Sequence, residues 1–406
     1  VTIDDPLLPS AAHLTGPDAF DILRPAVAAT GGELVACRTS HVQYRPESDL
    51  VVRYRCEIRR GAAQAVDTLL AATTRWGPLA GSLPVEATSP DGSTLSVGVW
   101  RWPFDPILVD LTTMVTPHLA AAHLHDLVGA PLHLDVVAYR PTERAVIRVC
   151  GPRREIYVKV VAPASVAAIV RRHVALSDAG IPVPRVLRSG SGWIAMEALN
   201  GTTLRDRLKQ GTGALPSPER IRELLASLAS VDLDDVVPVR SRLDDAPHHA
   251  AMLAAVMPGA RCRLADMVER LSEQATPRLT ATTHGDLHEA QLIVDDTAIT
   301  GLVDIDDVGR GDPLDDVATL VGHLRFRAAT TGLDRITSFA EHVRSVFARG
   351  HDERHLDLHI AGVLIGLATG PFRIQQPDWD VTTRRVLDLV EHHLDAAERA
   401  VAVRTP

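Results

Sequence analysis

The chain has 406 residues, 46% of them apolar, and a formal charge of −9. That composition excludes a largely disordered chain, and the acidic balance argues against a nucleic-acid binder, which would normally carry a basic stripe. No apolar run approaches the ~18 residues of a membrane span, and the acidic start VTIDDPLLPS is unlike a secretory leader, so a soluble, cytoplasmic protein without a membrane partner is expected. Cys37, Cys56, Cys150 and Cys262 show no CxxC spacing and read as thiols in a reducing compartment.

Residues 1–130 read as a mixed α/β unit. Helical patterning covers 19–29, and strand patterning follows over 42–58. SPDGSTLSVGVW (89–100) has the form of a hairpin, with Asp91-Gly92 in the turn and Leu95, Val97 and Val99 alternating with small or polar neighbours. An apolar helical stretch covers 114–128. Two segments echo each other: YRPESDLVVRY (44–54) and YRPTERAVIRV (139–149). They are either two related hairpins, one in each N-terminal unit, or a coincidence, since two copies do not make a repeat array.

From Leu134 the strands become denser: LDVVAY, RAVIRV and EIYVKVV. A helix follows over 165–177, with Val166, Ile169, Val170, His173 and Leu176 on one stripe. GIPVPRVL is an extended connector, WIAMEAL (193–199) a strand, and GTTLRDRL opens a helix at a threonine cap. The rest reads as mostly helical, ending in a long helix over 382–402. Two exceptions stand out: the segment 283–307 and the loop GPFRIQQPDWD (370–380).

THGDLHEAQLIVDDTAITGLVDIDD (283–307) gathers His284, Asp286, His288, Gln291, Asp304 and Asp306 around an apolar middle. Such a set needs water or something cationic among its members. Transfer of the terminal phosphoryl group of ATP to a hydroxyl requires a carboxylate for the hydroxyl proton, oxygen ligands for magnesium and a lysine on the phosphates. A protein-kinase catalytic loop spaces these groups as His-x-Asp-x-x-x-x-Asn, with a metal-binding aspartate on a later strand. Here Gln291 stands at the asparagine position, and a hairpin returns Asp304 to the loop. Of 42 basic residues only Lys159 and Lys209 are lysine, so a lysine on the strand EIYVKVV is conspicuous.

HGDLHEAQLIVDD…ITGLVDIDDVGRGDPLDDVA resembles the signature of the aminoglycoside phosphotransferase and choline kinase-like family, bacterial relatives of protein kinases, and the resemblance extends over roughly 135–400. It implies an α+β, bilobal protein-kinase-like fold with an added α/β cap: residues 1–130 as the cap, 131–200 as the β-rich lobe and hinge, and 201–406 as the helical lobe. It implies ATP and Mg2+ as cofactors and a small-molecule hydroxyl as acceptor. Asp286 would be the base and His284 the brace of its loop. Gln291 and Asp304 would hold magnesium, with Asp306 either assisting or lying at the surface. Lys159 would meet the phosphates, and Met196, Glu197 and Leu199 would form the hinge that meets adenine. Asp316, in GDPxxD, would be structural.

Two departures bear on this expectation. Glutamine at 291 resembles the maltokinase and glucosamine kinase branch, which also carries a large N-terminal extension and favours a sugar or amino sugar over an aminoglycoside. The usual glutamate partner of the lysine is missing from the following helix, leaving His173 as the inward polar residue able to accept a bond from Lys159. In the loop 370–380, Trp379 would stack on a sugar while Arg373, Gln376 and Asp378 bond hydroxyls, and His288 is a further candidate contact. A nucleotide-binding pseudokinase is one rival, motivated by the missing glutamate. A metal hydrolase using His284, Asp286, His288 and Asp304 is another, but it leaves Lys159 and Gln291 unexplained.

Overall fold

The computed structural model describes residues 2–88, 94–233, 238–272, 280–349 and 351–402. The N-terminal unit begins with helices α1 (Ser10–Thr15) and α2 (Ala19–Ala28). A sheet follows, made of β1 (Glu33–Arg45), β2 (Asp49–Arg60), β3 (Ala63–Thr74), β4 (Leu83–Thr88) and β5 (Thr94–Arg101), in the order β1-β2-β3-β5-β4. The expected strand over 42–58 is therefore two strands: Pro46 and Glu47 (φ 61°) turn the chain between them. β4 and β5 pair antiparallel, while the Asp91-Gly92 turn expected between them lies outside the described residues.

Helices α3 (Leu111–Val115) and α4 (Pro117–Val128) come next. The single helix expected over 114–128 is interrupted at Thr116, because Pro117 favours the first position of a new helix. A second antiparallel sheet contains β6 (His133–Arg140), β7 (Arg144–Cys150), β8 (Glu155–Val161), β9 (Val186–Ser189) and β10 (Trp193–Glu197), in the order β6-β7-β8-β10-β9. Helix α5 (Pro163–Asp178) crosses between β8 and β9, burying Val166, Ile169, His173 and Leu176 as its spacing predicts.

The two N-terminal echoes are the same structure built twice. In each, a β-turn carries proline at its second position and a positive-φ residue at its third (Glu47, φ 61°; Thr142, φ 64°), closed by Ser48 N–H to Arg45 O and by Glu143 N–H to Arg140 O, both 3.1 Å. Each turn is anchored by one buried aspartate from an Asp-Pro-x-Leu segment. Asp5 Oδ2 accepts from Tyr44 Oη and Glu47 N, both at 2.8 Å. Asp105 Oδ2 accepts from Tyr139 Oη at 2.8 Å and Thr142 N at 2.9 Å. Two helices precede the hairpin in both units.

The remainder is helical apart from short ribbons. β11 (Thr202–Thr203) leads into α6 (Leu204–Lys209), whose Thr203 side chain caps Asp206 N as expected. Then come α7 (Pro218–Ala229), α8 (Arg242–Val256), α9 (Arg261–Ser272), β12 (Ala281–Thr283), β13 (Leu292–Asp295), β14 (Ala298–Leu302) and β15 (Gly309–Gly311). The last helices are α10 (Pro313–Thr331), α11 (Asp334–Ala348), α12 (Glu353–Ala368), α13 (Gly370–Arg373) and α14 (Trp379–Ala402). The expected loop 370–380 is thus mostly the end of one helix and the start of another.

The large core of this part unites Leu320, Leu324, Ile360, Leu364, Val390 and Leu394, each side chain contributing roughly 1.5–3 kcal/mol by leaving water. α10 and α12 approach closely at Gly322, where a Cβ would come within 2.7 Å of Val363 Cγ1. The N-terminal unit packs on both other parts. Its core takes in Met252, Val256 and Met257 at the end of α8 together with Phe372 of α13, while Leu111, Met114 and Leu124 pack on the second sheet through Ile147, Val149 and Val158. No helix among the described residues is long and apolar enough to cross a membrane.

Candidate active site

Asp286 sits in the loop after β12, and that loop is pinned from behind. Asp316, buried near the start of α10, accepts His284 N at 2.7 Å and Gly285 N at 2.9 Å. Burial pushes the Asp316 carboxyl up against the opposing pull of His284 and the two amides. Gly285 has φ +83°, and a Cβ there would lie 2.8 Å from Asp307 O, so only glycine fits. His284 is fully buried and uses both ring nitrogens. Nδ1 accepts Asp286 N at 3.3 Å, and Nε2 faces Val303 O at 3.0 Å. With both nitrogens engaged His284 is a brace and has no atom left for a metal, which removes one ligand from the hydrolase alternative.

β13 and β14 form the expected hairpin, although β14 ends at Leu302. Asp304 lies just beyond it with left-handed backbone (φ 59°), followed by a 3-10 turn, Ile305–Asp307. Asp304 is the meeting point of the site. Lys159 Nζ is 2.7 Å from its Oδ1, Arg144 Nη2 2.7 Å from its Oδ2, and the Gln291 side-chain amide 3.2 Å from the same Oδ2. Burial pushes the carboxyl up, but Lys159 and Arg144 together outweigh it and hold Asp304 well below the usual carboxylate range.

Lys159 also pairs with Asp306 Oδ2 at 2.6 Å. The aspartate two residues beyond Asp304 thereby fills the place of the missing helix glutamate. The expected bond from Lys159 to His173 is not formed. His173 Nδ1 faces Pro184 O at 2.8 Å, and the ammonium is engaged by two carboxylates instead. Burial lowers the His173 pKa, which keeps the ring neutral. α5 reaches the site by another route, since Arg172 Nη1 donates to Asp306 O at 2.5 Å. Asp306 is not a surface acid, and its Oδ1 is buried without a hydrogen-bond partner. Carboxylate and amide oxygens are the donors that magnesium prefers, and an orphaned carboxylate oxygen beside Asp304 and Gln291 fits a divalent cation.

Arg242, the first residue of α8, belongs to no motif in the sequence. Its Nη2 donates to Asp286 Oδ1 and to Gly285 O, each at 2.8 Å. A cleft of about 320 Å³ opens beside it, lined by Arg172, Arg240, Arg242, Asp245, Asp306 and Asp307. Nothing in the local sequence links Arg242 or Arg144 to the motif, since they lie 44 and 160 residues from their partners and arginine is common throughout.

His288 is not exposed. It stacks on His323 with centroids 4.5 Å apart, and its Nε2 lies 3.1 Å from the Gln291 amide. Burial, and then His323, lower its pKa to about 3. With Glu289, these two histidines form a group whose ligand atoms lie within 4.8 Å of one another. Glu289 is already bonded by Arg205 at 2.8 Å and Arg327 at 2.5 Å, and two guanidiniums beside the carboxylate disfavour a metal cation there.

Of the residues expected to form the hinge, Met196 and Glu197 end β10 of the second sheet and Leu199 lies just beyond it. Met196 pairs with Tyr157 on β8, Glu197 is held by Arg185 at 2.8 Å, and Leu199 packs over Gly301. Of the expected acceptor residues, Trp379 stands edge-on to Phe372 at 5.1 Å and packs against the N-terminal core. Gln376 bonds Thr382 Oγ1 at 3.1 Å, and Asp378 (φ 52°) turns the chain into α14. Arg373 is withdrawn from water and surrounded mainly by positive charge from Arg140 and Arg45, with Glu143 opposing. Trp379 and Gln376 are thus engaged in holding the turn.

A family model described as phosphotransferase enzyme family matches residues 142–352, just over half of the chain. Among solved structures, a thermostable mutant of aminoglycoside phosphotransferase APH(4)-Ia matches with a TM-score of 0.50 at 16% identity, over 68% of this chain and 98% of that one. Aminoglycoside phosphotransferase APH(3'')-Id from Streptomyces rimosus gives 0.43 at 21% identity, over 63% and 98%. An ethanolamine kinase from Plasmodium vivax gives 0.45 at 11%, over 66% and 85%. The first of these likenesses shows the fold, which is bilobal, α+β and kinase-like. No curated protein sequence matches the chain.

Proposed function

Because the chain belongs to the phosphotransferase enzyme family, we propose that it transfers the terminal phosphoryl group of ATP to a hydroxyl of a sugar or amino sugar. The observation that carries this reading is the convergence on Asp304 of Lys159, Arg144 and Gln291, from three separate elements, beside the braced carboxylate of Asp286. ATP with Mg2+ supplies the phosphoryl group and the charge neutralisation at its phosphates. Asp304, Gln291 and Asp306 hold the metal, Lys159 meets the non-transferred phosphates, and the backbone around Met196, Glu197 and Leu199 receives adenine.

Asp286 is the base. Arg242 fixes its Oδ1 and leaves the other oxygen to take the acceptor's proton, so that the carboxylate is aimed before the acceptor arrives. His284 and Asp316 hold the loop and exchange no proton. The cleft beside Asp286 carries Arg172, Arg240 and Arg242 against three aspartates, and Arg373 lies in a basic neighbourhood. A polycationic aminoglycoside needs a strongly acidic surface, so a sugar or amino sugar fits these surroundings better. Arg373, Asp378 and His288 remain its candidate contacts, with Trp379 and Gln376 supporting the turn.

Mass spectrometry of sugars, amino sugars and aminoglycosides incubated with the chain and Mg-ATP tests the reading. The expected product is a sugar or amino sugar carrying one added phosphoryl group. Phosphorylation confined to aminoglycosides would replace the acceptor assignment.

A further inference from the structure

We infer that Arg144 contacts the phosphoryl group being transferred, in the role that backbone amides of a glycine-rich loop play in protein kinases, and that Asp105 positions it. The inference rests on the phosphotransfer reading above. A phosphate-covering loop works through free backbone N–H groups and the freedom of glycine. The turn between β6 and β7, Pro141-Thr142-Glu143, has neither. Proline has no N–H, the Thr142 N–H is given to Asp105 Oδ2 at 2.9 Å, and the Glu143 N–H to Arg140 O at 3.1 Å. The turn is therefore rigid and its amides are spent.

The first residue after it is Arg144. Its side chain is 19% exposed, and Nη2 lies 2.7 Å from Asp304 Oδ2. A guanidinium carries five N–H donors and matches phosphate oxygens in a fork, so one bond to Asp304 leaves donors for a phosphoryl group beside that carboxylate.

The duplicated N-terminal hairpin acts as an internal control. It keeps the whole anchoring device, with Asp5 bonding Tyr44 and Glu47 as Asp105 bonds Tyr139 and Thr142. At the position of Arg144 it has Asp49. Lys159 stands opposite Val146 in the second sheet, and the residue opposite the equivalent Val51 is Ala72. A unit of this design therefore folds without either cation. The anchor shapes the turn in both units, and only in the second does that turn lead into a cation at the site, Arg144, with Lys159 on the next strand. The two turns also touch, since Glu143 Oε1 accepts from Gln43 Nε2 and Arg45 Nη2, both at 2.6 Å. The N-terminal unit thus braces the turn that carries Arg144.

Calorimetric titration of the full chain with Mg-ATP and with Mg-ADP tests this directly. Arg144→Ala should weaken ATP binding about 10- to 100-fold, the usual worth of charge-assisted bonds, and change ADP binding less than about threefold. Arg144→Lys should fall between, because it keeps charge and loses the fork. Arg148→Ala, which removes a surface arginine from the same strand, should change neither. Asp105→Asn, checked by its melting temperature for a folded chain, should weaken ATP selectively and by less than Arg144→Ala.

An unchanged ratio of ATP to ADP affinity in Arg144→Ala would overturn the inference. Equal losses for both nucleotides in Asp105→Asn would make Asp105 a fold residue only and overturn its positioning role. If Asp286→Asn lowers turnover ~10²–10⁴-fold while Arg144→Ala keeps the ATP preference, phosphotransfer stands and this inference alone falls. Failure of the unsubstituted chain to bind either nucleotide would remove both.

Discussion

Replacing Lys159 by methionine keeps the stem and deletes the charge. The Lys159 side chain is 5% exposed, and its ammonium lies within 2.7 Å of Asp304 and 2.6 Å of Asp306. Removing one member of a buried ion pair costs about 3–5 kcal/mol, because the partner charges stay behind uncompensated. Arg144 still faces Asp304 in the variant, so the lower end, about 3 kcal/mol, applies. For a cooperative unit of about 150–250 residues that corresponds to a fall in melting temperature of roughly 6–12 °C. If Asp304, Asp306 and Gln291 form a magnesium site, millimolar MgCl2 should recover part of this loss in Lys159→Met and change the unsubstituted chain much less. The assay is thermal unfolding of both chains with and without MgCl2. A variant as stable as the parent would refute the account of Lys159 as the main counter-ion. Identical curves with and without magnesium would refute the metal site.

Arg242→Ala should lower kcat about 10- to 100-fold through loss of the two bonds that aim Asp286, with nucleotide affinity unchanged, and equal losses in both quantities in steady-state kinetics and nucleotide titration would contradict that role. Stability should also fall as pH drops from 7 to 5. His41, His249 and His323 have pKa values lowered to about 4, first by burial and then by neighbouring charges that include Arg373 at His41 and at His249. Below pH ~6.5 the unfolded chain takes up protons that the folded rings refuse, so each costs up to about 2 kcal/mol at pH 5, and the loss levels off below about pH 4. The urea midpoint at pH 5 should lie below that at pH 7, and an equal or higher midpoint would contradict the burial of these rings.

The parts of the site legible in the sequence are those held within one local motif. The loop from His284 to Gln291 and the hairpin to Asp304 follow one another without a break, so their spacing is read directly along the chain. Lys159 was visible as one of only two lysines. What spacing cannot carry is contact between distant elements. Arg242 and Arg172 enter from α8 and α5 as unremarkable arginines at helix positions. His173 had the right periodicity and the wrong partner, since a buried imidazole satisfies itself on the nearest carbonyl, Pro184 O, and the ammonium prefers carboxylates.

The loop 370–380 shows a second limit of the one-dimensional reading. Its tryptophan and glutamine have structural partners, Phe372 and Thr382, that spacing along the chain does not reveal. Aligning the two Tyr-Arg-Pro echoes sets Asp49 against Arg144, a reversal of charge inside an otherwise matching hairpin.

In the proposed reaction Asp286 receives the acceptor's proton. The most direct test is ADP release with Mg-ATP and the acceptor identified by mass spectrometry, comparing the unsubstituted chain with Asp286→Asn. The account predicts a fall in turnover of ~10²–10⁴-fold, with Mg-ATP affinity retained. Turnover within a few-fold of the parent would contradict it.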